Sequence, residues 1–294
     1  TFVSTANAFL LRGARIKFVD SENEYPNIDS AKIEELITSK TKAIVPIHYG
    51  GIACNMDNIV DIAEKYNLNI IEDAAQAITS NYKGKPLGTF GRFGAISFHE
   101  TKNITSGEGG LLLVNQKEDF QRAKIVLEKG TNRSDFFEGK VNKYEWVDIG
   151  SSFLLSDINA AVLLSQIENM DAIQKRRIAI WNKYYQEFEI LWKKGFITLP
   201  IIPKYGEVNG HLFFLECESL KIRDSLIRYL RKYNIHAVFH YLPLHLSPFF
   251  KNKHDGRILN NAVRFSERLI RLPLFFELAE SEQDYIIKKV KEFF

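Results

Sequence analysis

The chain has 294 residues, of which 45% are hydrophobic and 26% are charged, and its formal net charge is +3. This composition is typical of a globular protein with room for one large domain and a smaller one. The weak net charge, without any long run of like charges, gives no support for binding to nucleic acid or to a membrane surface. Two distant cysteines, Cys54 and Cys217, indicate neither a disulfide framework nor a zinc site.

The sequence contains no run of the ~18–20 apolar residues that a membrane-spanning helix needs, and no signal peptide is recognisable. We therefore expect a cytoplasmic protein that binds no metal. The chain opens on Thr1-Phe2-Val3-Ser4, which has the pattern of a helix start, and it lacks an initiator Met. We expect an N-terminal part of the natural protein to be absent from this sequence.

Helix and strand patterns alternate over much of the chain. Apolar spacing and turn residues predict a helix over 4–12 ending at Gly13, a strand over 15–19, a helix capped by Asp29, a strand over 43–47, a helix over 56–66 and a strand over 68–71. Next come strands over 95–98 and 111–114, a helix over 120–128, a polar loop over 130–148 and a long helix over 157–192. This order predicts a parallel or mostly parallel sheet covered by helices.

Gly195, Pro200 and Pro203 interrupt the pattern after the long helix. A smaller α/β unit is predicted beyond them, with strands over 212–217 and 236–239 and helices over 224–233, 262–271 and 281–294. The sequence therefore predicts an α/β protein with a large domain over 1–195 and a small C-terminal α/β domain over 196–294. In open sheets of this kind, ligands bind at the carboxyl ends of the strands.

Two short motifs follow strand ends of the predicted large domain. Asp73 stands in Ile70-Ile71-Glu72-Asp73-Ala74-Ala75-Gln76, and Lys102 stands in Ser97-Phe98-His99-Glu100-Thr101-Lys102-Asn103, ahead of Gly107-Glu108-Gly109-Gly110. A carbonyl cofactor with a ring nitrogen needs a lysine to form an imine and a carboxylate to keep its pyridinium protonated. The motifs therefore predict a pyridoxal phosphate (PLP) site with Lys102 and Asp73 as its catalytic residues.

Each of these residues also has an ordinary interpretation. A single lysine such as Lys102 is usually a solvated surface residue, and Asp73 by itself would be a helix cap or a turn residue. Gln76 could meet a substituent of the ring or face water, and Ser97 could hold a phosphate oxygen or only end a strand. The order of strand, acid, strand, lysine and Gly-rich turn favours the cofactor site, because partial burial there would lower the pKa of the lysine.

The three motifs resemble the cofactor signature of the DegT/StrS-type sugar-nucleotide aminotransferases, and the similarity covers essentially the whole chain. The resemblance implies the aspartate-aminotransferase fold, PLP fold type I, with a large PLP-binding domain that is N-terminally incomplete here. Residues 128–134, 144–152 and 238–245 narrow the resemblance to members that move an amino group from glutamate to dTDP-4-dehydro-6-deoxyglucose, giving dTDP-4-amino-4,6-dideoxygalactose. Such aminosugars generally feed surface polysaccharides.

The resemblance also implies roles for single residues. Lys102 would form the imine with PLP, Asp73 would pair with the pyridine nitrogen, Gln76 would meet the ring hydroxyl and Ser97 would help to hold the phosphate. Phe2 matches the position of an aromatic residue that lies against the ring. The family's phosphate-binding turn and helix N-terminus, a usual anion site, precede the point where this sequence begins.

Further residues match segments that would meet the substrate or a partner subunit. Lys129, Arg133 and Tyr241 would contact the sugar or its diphosphate, which basic side chains suit, although each could equally lie on the rim. The resemblance implies a homodimer with each active site completed across the interface. Many relatives carry an Asn that reaches the partner's cofactor phosphate near the position of Ser152, and the serine leaves that contact open.

Three alternatives remain at this point. The first is the same chemistry at another sugar carbon or on a UDP-sugar, since the cofactor motif would be identical. The second is a PLP-dependent sugar dehydratase, in which the related fold carries His in place of the lysine, so Lys102 argues against it. The third is a non-catalytic regulatory or binding module, which Asp73 and Lys102 disfavour and the incomplete N-terminal part keeps open.

Overall fold

The computed structural model describes residues 1–294. Its α-helices are Val3–Leu10 (α1), Met56–Lys65 (α2), Phe120–Leu127 (α3), Arg133–Phe137 (α4), Asp157–Glu168 (α5), Met170–Lys193 (α6), Leu220–Lys232 (α7), Asn260–Arg268 (α8) and Glu280–Phe293 (α9). Its strands are Ala43–Ile44 (β1), Asn69–Asp73 (β2), Asn81–Tyr82 (β3), Lys85–Pro86 (β4), Phe93–Ser97 (β5), Gly110–Val114 (β6), Ile197–Thr198 (β7), Phe213–Cys217 (β8), Val238–Phe239 (β9) and Leu269–Leu272 (β10).

The first sheet has the strand order β1-β2-β5-β6. Strands β1, β2 and β5 run parallel, and β6 pairs antiparallel with β5. Helix α2 covers this sheet and buries Met56, Ile59 and Ile62, which recur at helical spacing, against Ile44 and Ile70. The prediction of a mostly parallel sheet within an α/β fold is confirmed.

The second sheet has the order β7-β8-β10-β9 and is antiparallel throughout. One face packs on helices in the largest core of the molecule, where Phe213 and Leu215 of β8 meet Phe188 of α6 and Leu226 of α7. Helix α6 thus shares a core with the C-terminal unit (residues 196–294), although the sequence predicts it as part of the large domain. The domain boundary at residue 195 stays a prediction.

Two predictions near the N-terminus are wrong. Residues 15–19 form no strand because no neighbouring segment makes ladder hydrogen bonds with them, and a strand requires such a partner. Asp29 does cap a helix, accepting a hydrogen bond from the Ala31 amide, but two short 3₁₀ turns follow, Ser30–Lys32 and Glu34–Leu36, in place of an α-helix.

Further differences concern element boundaries. The predicted long helix breaks at Asn169, whose side chain donates to the Ser165 carbonyl and ends α5. The predicted polar loop contains α4. The helix predicted over 262–271 ends before Leu269, where β10 begins. The backbone of β10 pairs with both β8 and β9, and this pairing favours a strand there. Helix α7 starts earlier than expected since the Ser219 hydroxyl accepts a hydrogen bond from the Ile222 amide. The β3–β4 hairpin was not predicted.

Glu72 anchors the end of β2 from inside the molecule. Its side chain is fully buried, and its oxygens accept hydrogen bonds from three backbone amides, those of Gly88, Phe90 and Gly91. Nε2 of His48 donates a fourth hydrogen bond at 3.1 Å, while Nδ1 of that ring accepts one from the Cys54 amide. Burial alone would raise the pKa of Glu72, but the hydrogen bonds from His48 and the amides outweigh it and hold that pKa below its ordinary value.

We predict that Glu72→Gln lowers the free energy of unfolding by about 2–4 kcal/mol at neutral pH, because one oxygen and the charge that these donors stabilise are lost. The folded-state pKa of Glu72 is depressed, so its stabilisation is complete above the ordinary value of 4.5 and is lost as the pH falls through the folded-state pKa. The difference between the two proteins should therefore shrink in acid. Urea unfolding at neutral and acidic pH measures it, with the exposed Glu64→Gln as control. An equal difference at both pH values would contradict this account.

Candidate active site

Asp73 lies at the carboxyl end of β2 with its carboxylate partly accessible. One oxygen accepts a hydrogen bond from the Ala75 amide at 3.1 Å, and the other accepts one from the Thr5 hydroxyl of α1. Thr5 is separated from Asp73 by 68 positions in the sequence. Sequence reasoning missed Thr5, and no local pattern marks it.

Lys102 lies on the connection between β5 and β6, and its amide donates to the His99 carbonyl at 2.9 Å. Because β5 pairs in parallel with β2, with Asp73 opposite Ala95, this connection begins at the edge of the sheet where Asp73 stands. Burial lowers the pKa of Lys102, the Asp73 carboxylate opposes this shift and the Arg271 guanidinium adds to it. The net lowering makes the neutral, nucleophilic amine more available.

The buried Asn103 fixes the backbone next to Lys102. Its amide nitrogen donates to Oε1 of Gln174 and to the Asn209 carbonyl, each at 2.8 Å. Its Oδ1 accepts from Nδ1 of His211 at 2.8 Å. Burial lowers the pKa of His211 well below its ordinary value, which favours the neutral ring in this donor role. These partners lie 71 to 108 positions away, so sequence patterns did not reveal them.

Gln76 and Ser97 are both half-buried near these strand ends. Oε1 of Gln76 accepts from the Gly50 amide at 2.7 Å, and its amide nitrogen has no hydrogen-bond partner. Ser97 Oγ accepts from the His99 amide at 3.3 Å, which leaves its hydrogen free for donation. Each side chain can therefore donate to an acceptor on a ligand.

Two aromatic side chains, Phe2 and Tyr241, pack together near Asp73, which accepts a hydrogen bond from Thr5 in the helix that follows Phe2. The rings of Phe2 and Tyr241 lie 5.3 Å apart between centroids, and the Tyr49 hydroxyl contacts Nδ1 of His240 at 2.8 Å. Burial raises the pKa of Tyr241, with Arg271 opposing and Asp73 adding to the shift. Burial lowers the pKa of His240 to about 2, with Arg271 adding to it. Phe2 and Tyr241 thus lie at the same cluster as the predicted catalytic pair.

A cavity of about 810 Å³ borders this cluster through Thr5, Tyr49 and Tyr241. Neither Asp73 nor Lys102 lines it, and most of its lining residues are hydrophobic. Asp73 and Lys102 thus lie outside the walls of this cavity, and the candidate site is defined by its polar side chains.

Three predicted site residues lie on an exposed part of the chain between α3 and α5. Ser152 forms an isolated antiparallel bridge with Glu128, and Lys129 is exposed with a left-handed backbone. Arg133 pairs with Glu128 at 3.4 Å and lies over the ring of Phe137. None of the three forms a hydrogen bond or ion pair with Asp73 or Lys102, and their roles at the site stay predictions.

The side chains at the strand ends fit PLP. Asp73 offers a partly accessible carboxylate beside small Ala74 and Ala75, and its oxygens keep acceptor capacity beyond the bonds from Thr5 and the Ala75 amide. The side-chain amide nitrogen of Gln76 is an unpaired donor. Lys102 supplies an amine whose pKa burial lowers. No group of three or more His, Cys, Asp or Glu side chains lies together in a way that suits a metal ion. No helix combines the length and apolar character that crossing a membrane requires.

Comparison with known proteins agrees with this chemistry. The pattern of the DegT/DnrJ/EryC1/StrS aminotransferase family matches residues 1–291. The spore coat polysaccharide biosynthesis protein SpsC of Bacillus subtilis is 32% identical, and the match covers 99% of this chain and 77% of SpsC.

Two solved structures are similar over 100% of this chain. The PLP form of Spr1654 from Streptococcus pneumoniae, described as a sugar aminotransferase, has a TM-score of 0.89 at 28% identity over 78% of its own chain. Helicobacter pylori PseC, an aminotransferase of pseudaminic acid biosynthesis, has a TM-score of 0.91 at 27% identity over 77% of its own chain. The aspartate-aminotransferase-like fold and the PLP cofactor that the resemblance implies are confirmed. The chain therefore belongs to the DegT/DnrJ/EryC1/StrS aminotransferase family, and it is a PLP-dependent sugar aminotransferase.

Proposed function

We propose that this enzyme transfers the amino group of glutamate to the keto carbon of dTDP-4-dehydro-6-deoxyglucose. The observation that carries the proposal is the convergence of Asp73 and Lys102 at adjacent parallel strand ends, with an unpaired Gln76 amide near them. The substrate is inferred from the resemblance of residues 128–134, 144–152 and 238–245 to enzymes of that reaction.

PLP, when bound, supplies the electron sink that lets a carbon next to the amine lose a proton. Asp73 would hold the proton on the ring nitrogen, with its own position set by Thr5 and the Ala75 amide. Gln76 would donate to the ring hydroxyl and Ser97 to the phosphate. Lys102 Nζ, as a neutral amine, would take the proton from the α-carbon of glutamate, and it would deliver a proton to the sugar carbon in the second half-reaction.

The aromatic wall has a separate role in this scheme. Phe2 would lie against the cofactor ring, and Tyr241, 5.3 Å away, would meet the sugar. The two rings would limit the access of water to the reacting carbon, which strengthens the electrostatic interactions of Asp73 and Lys102. Half of the Phe2 side chain is exposed in the single chain, leaving a face for these contacts.

A homodimer would explain the positions of Ser152, Lys129 and Arg133. They lie next to an exposed apolar surface, which we call the α5 surface and define by Trp146, Ile149, Phe153, Leu154, Ile158 and Val162. None of the 12 residues of α5 is buried, and Ile158 is 78% exposed. Apolar area of this kind favours a protein interface. A second copy docked there would bring the three polar residues towards the partner's active site, where Lys129 and Arg133 suit a diphosphate.

We also propose that the aminosugar product is used to make a surface polysaccharide. SpsC, one of the similar proteins, is named for the biosynthesis of spore coat polysaccharide. This similarity supports a role of the aminosugar in a surface polysaccharide, made from a nucleotide sugar in the cytoplasm.

A second candidate is amination at another sugar carbon or of a UDP-sugar. The similarity to PseC, an enzyme of pseudaminic acid biosynthesis, favours it, because that protein has the same fold and serves another sugar pathway. Lys129 and Arg133 would meet either nucleotide diphosphate, so these residues do not separate the candidates.

We predict that Lys102→Ala lowers turnover of glutamate and dTDP-4-dehydro-6-deoxyglucose by at least about 10³-fold, since both covalent attachment and proton transfer are lost. Mass spectrometry of the nucleotide-sugar product measures turnover. Lys65→Ala removes an exposed lysine paired with Glu34 and serves as the matched control. Substantial residual turnover in Lys102→Ala would refute the assigned role.

The same assay separates the candidate substrates. Amination of dTDP-4-dehydro-6-deoxyglucose in preference to UDP-linked keto sugars supports the first candidate, and the reverse preference supports the second. A PLP-loaded protein that aminates none of them would contradict the proposed reaction and favour a binding module.

We predict that Ile158→Asp combined with Val162→Asp converts a dimer into a monomer, because charges on the α5 surface would lose their hydration in the interface. Light scattering during size-exclusion chromatography measures the mass. Ile190→Asp on α6, also an exposed apolar site, is the control. The double variant should also lose sugar amination. A wild-type monomer, or an unaffected dimer in the double variant, would contradict the proposed interface.

A further inference from the structure

A short turn, residues 48–51, lies beyond β1 and is bonded to the residues of the candidate site. The His48 amide donates to the Asp73 carbonyl at 3.1 Å. The Gly50 amide donates to Oε1 of Gln76 at 2.7 Å. These bonds fix the backbone of the turn at the edge of the sheet where Asp73 stands. A side chain that leaves the turn therefore has a fixed position relative to the predicted cofactor site.

The side chain of Tyr49 leaves this turn and is buried. Its ring lies 5.9 Å from that of Phe214 between centroids and packs with Leu212 and Leu269. A hydrogen bond of 2.8 Å joins its hydroxyl to Nδ1 of His240, which is 191 positions away. Burial raises the pKa of Tyr49 and lowers that of His240 to about 2, so the bond joins two neutral groups. His240 is the only hydrogen-bond partner of this hydroxyl, and a buried phenol normally has one.

The residues that follow His240 form few hydrogen bonds of their own. Neither the backbone nor the hydroxyl of Tyr241 forms one within the chain, and the backbone of Leu242 forms none. The next hydrogen bond along the segment is the one that the Leu246 amide donates to the Pro243 carbonyl. The bond at the His240 side chain is thus the side-chain hydrogen bond nearest to Tyr241 in the sequence. The position of the Tyr241 ring therefore depends on that bond.

We propose that Tyr49 is a positioning residue for the keto sugar. Its hydroxyl holds His240, and His240 sets the position of Tyr241, whose hydroxyl is free to meet a ligand. This inference rests on the proposed function, which assigns Tyr241 to the sugar. The turn 48–51 would then orient both parts of the site, since its backbone holds Gln76 on the cofactor side.

Tyr184 of α6 offers a matched comparison. It is also a buried tyrosine, and its hydroxyl donates to the Pro273 carbonyl at 2.9 Å in the main core. Tyr184→Phe and Tyr49→Phe each remove one hydroxyl and one hydrogen bond. A purely structural role of Tyr49 predicts that both variants lose stability and keep the kinetics of both half-reactions. A positioning role predicts that only Tyr49→Phe changes the reaction with the sugar.

The test follows the two half-reactions of the PLP-loaded protein separately by absorbance. Glutamate reacts with the PLP form, and the keto sugar that the wild type aminates then reacts with the pyridoxamine phosphate form. We expect Tyr49→Phe to raise the sugar concentration at half-maximal rate by about 5- to 10-fold, because one neutral hydrogen bond is lost. The rate with glutamate should be unchanged, because the backbone of the turn still holds Gln76. Thermal unfolding shows whether each variant is folded.

Substitutions of His240 test the same bond from its other end. His240→Ala should weaken sugar binding at least as much as Tyr49→Phe. The double variant should be no weaker than His240→Ala alone, because both changes remove one and the same bond. His240→Asn places a side-chain amide near the position of Nδ1 and should keep most of the sugar binding.

Three results would overturn the inference. They are an unchanged half-saturating sugar concentration in Tyr49→Phe, an equal loss in both half-reactions, or additive losses in the double variant. All three leave the wild-type amination intact. A wild-type protein that reacts with glutamate and with no keto sugar would instead refute the proposed function, and the inference with it.

Discussion

The parallel pairing of β2 with β5 is the constraint on which the candidate site depends. It sets Asp73 opposite Ala95, so the acid and the connection that carries Lys102 leave the sheet at one edge. A shift of this register by one residue would turn the side chains of one strand to the opposite face. Glu72 is buried next to Asp73 in β2, and it accepts hydrogen bonds from three backbone amides of residues 88–91, just before β5. These bonds stabilise the pairing of β2 with β5.

A second set of contacts connects this edge to the C-terminal unit. Asn103 donates to the Asn209 carbonyl, and the Asn209 side chain donates in turn to the carbonyl of Gln76 at 2.7 Å. The backbone on both sides of the Asp73–Lys102 pair is therefore bonded to one short segment. Arg271 of β10 lies in the same unit, and its charge lowers the pKa of Lys102. The C-terminal unit thus contributes both positioning contacts and positive charge.

The electrostatic balance at Lys102 follows from this packing. Burial and Arg271 both favour the neutral amine, whereas Asp73 favours the charged one, and the net effect lowers the pKa of Lys102. An amine of this kind is suited to attack a carbonyl and to accept a proton from carbon.

The sequence was sufficient for those parts of the site that depend on local order. The strands before Asp73 and Lys102 and the Gly-rich turn after them are short, contiguous patterns, and the α/β fold follows from their alternation. Thr5 and the partners of Asn103 were not predicted, because their contacts join positions 68 or more residues apart. The strand over 15–19 failed for a related reason, since its apolar residues have no neighbouring strand with which to pair. The proposed roles of Ser152, Lys129 and Arg133 would depend on a second chain, which no pattern within one chain specifies.

Reductive trapping of PLP is the most direct test of the central claim that Lys102 and Asp73 form one cofactor site. The protein is incubated with PLP, reduced with borohydride, digested and mapped by mass spectrometry. The account predicts one major modified lysine, Lys102, and a lower degree of modification at low PLP concentration when Asp73 is replaced by Asn. Modification spread over exposed lysines, with Lys102 left free, would contradict it.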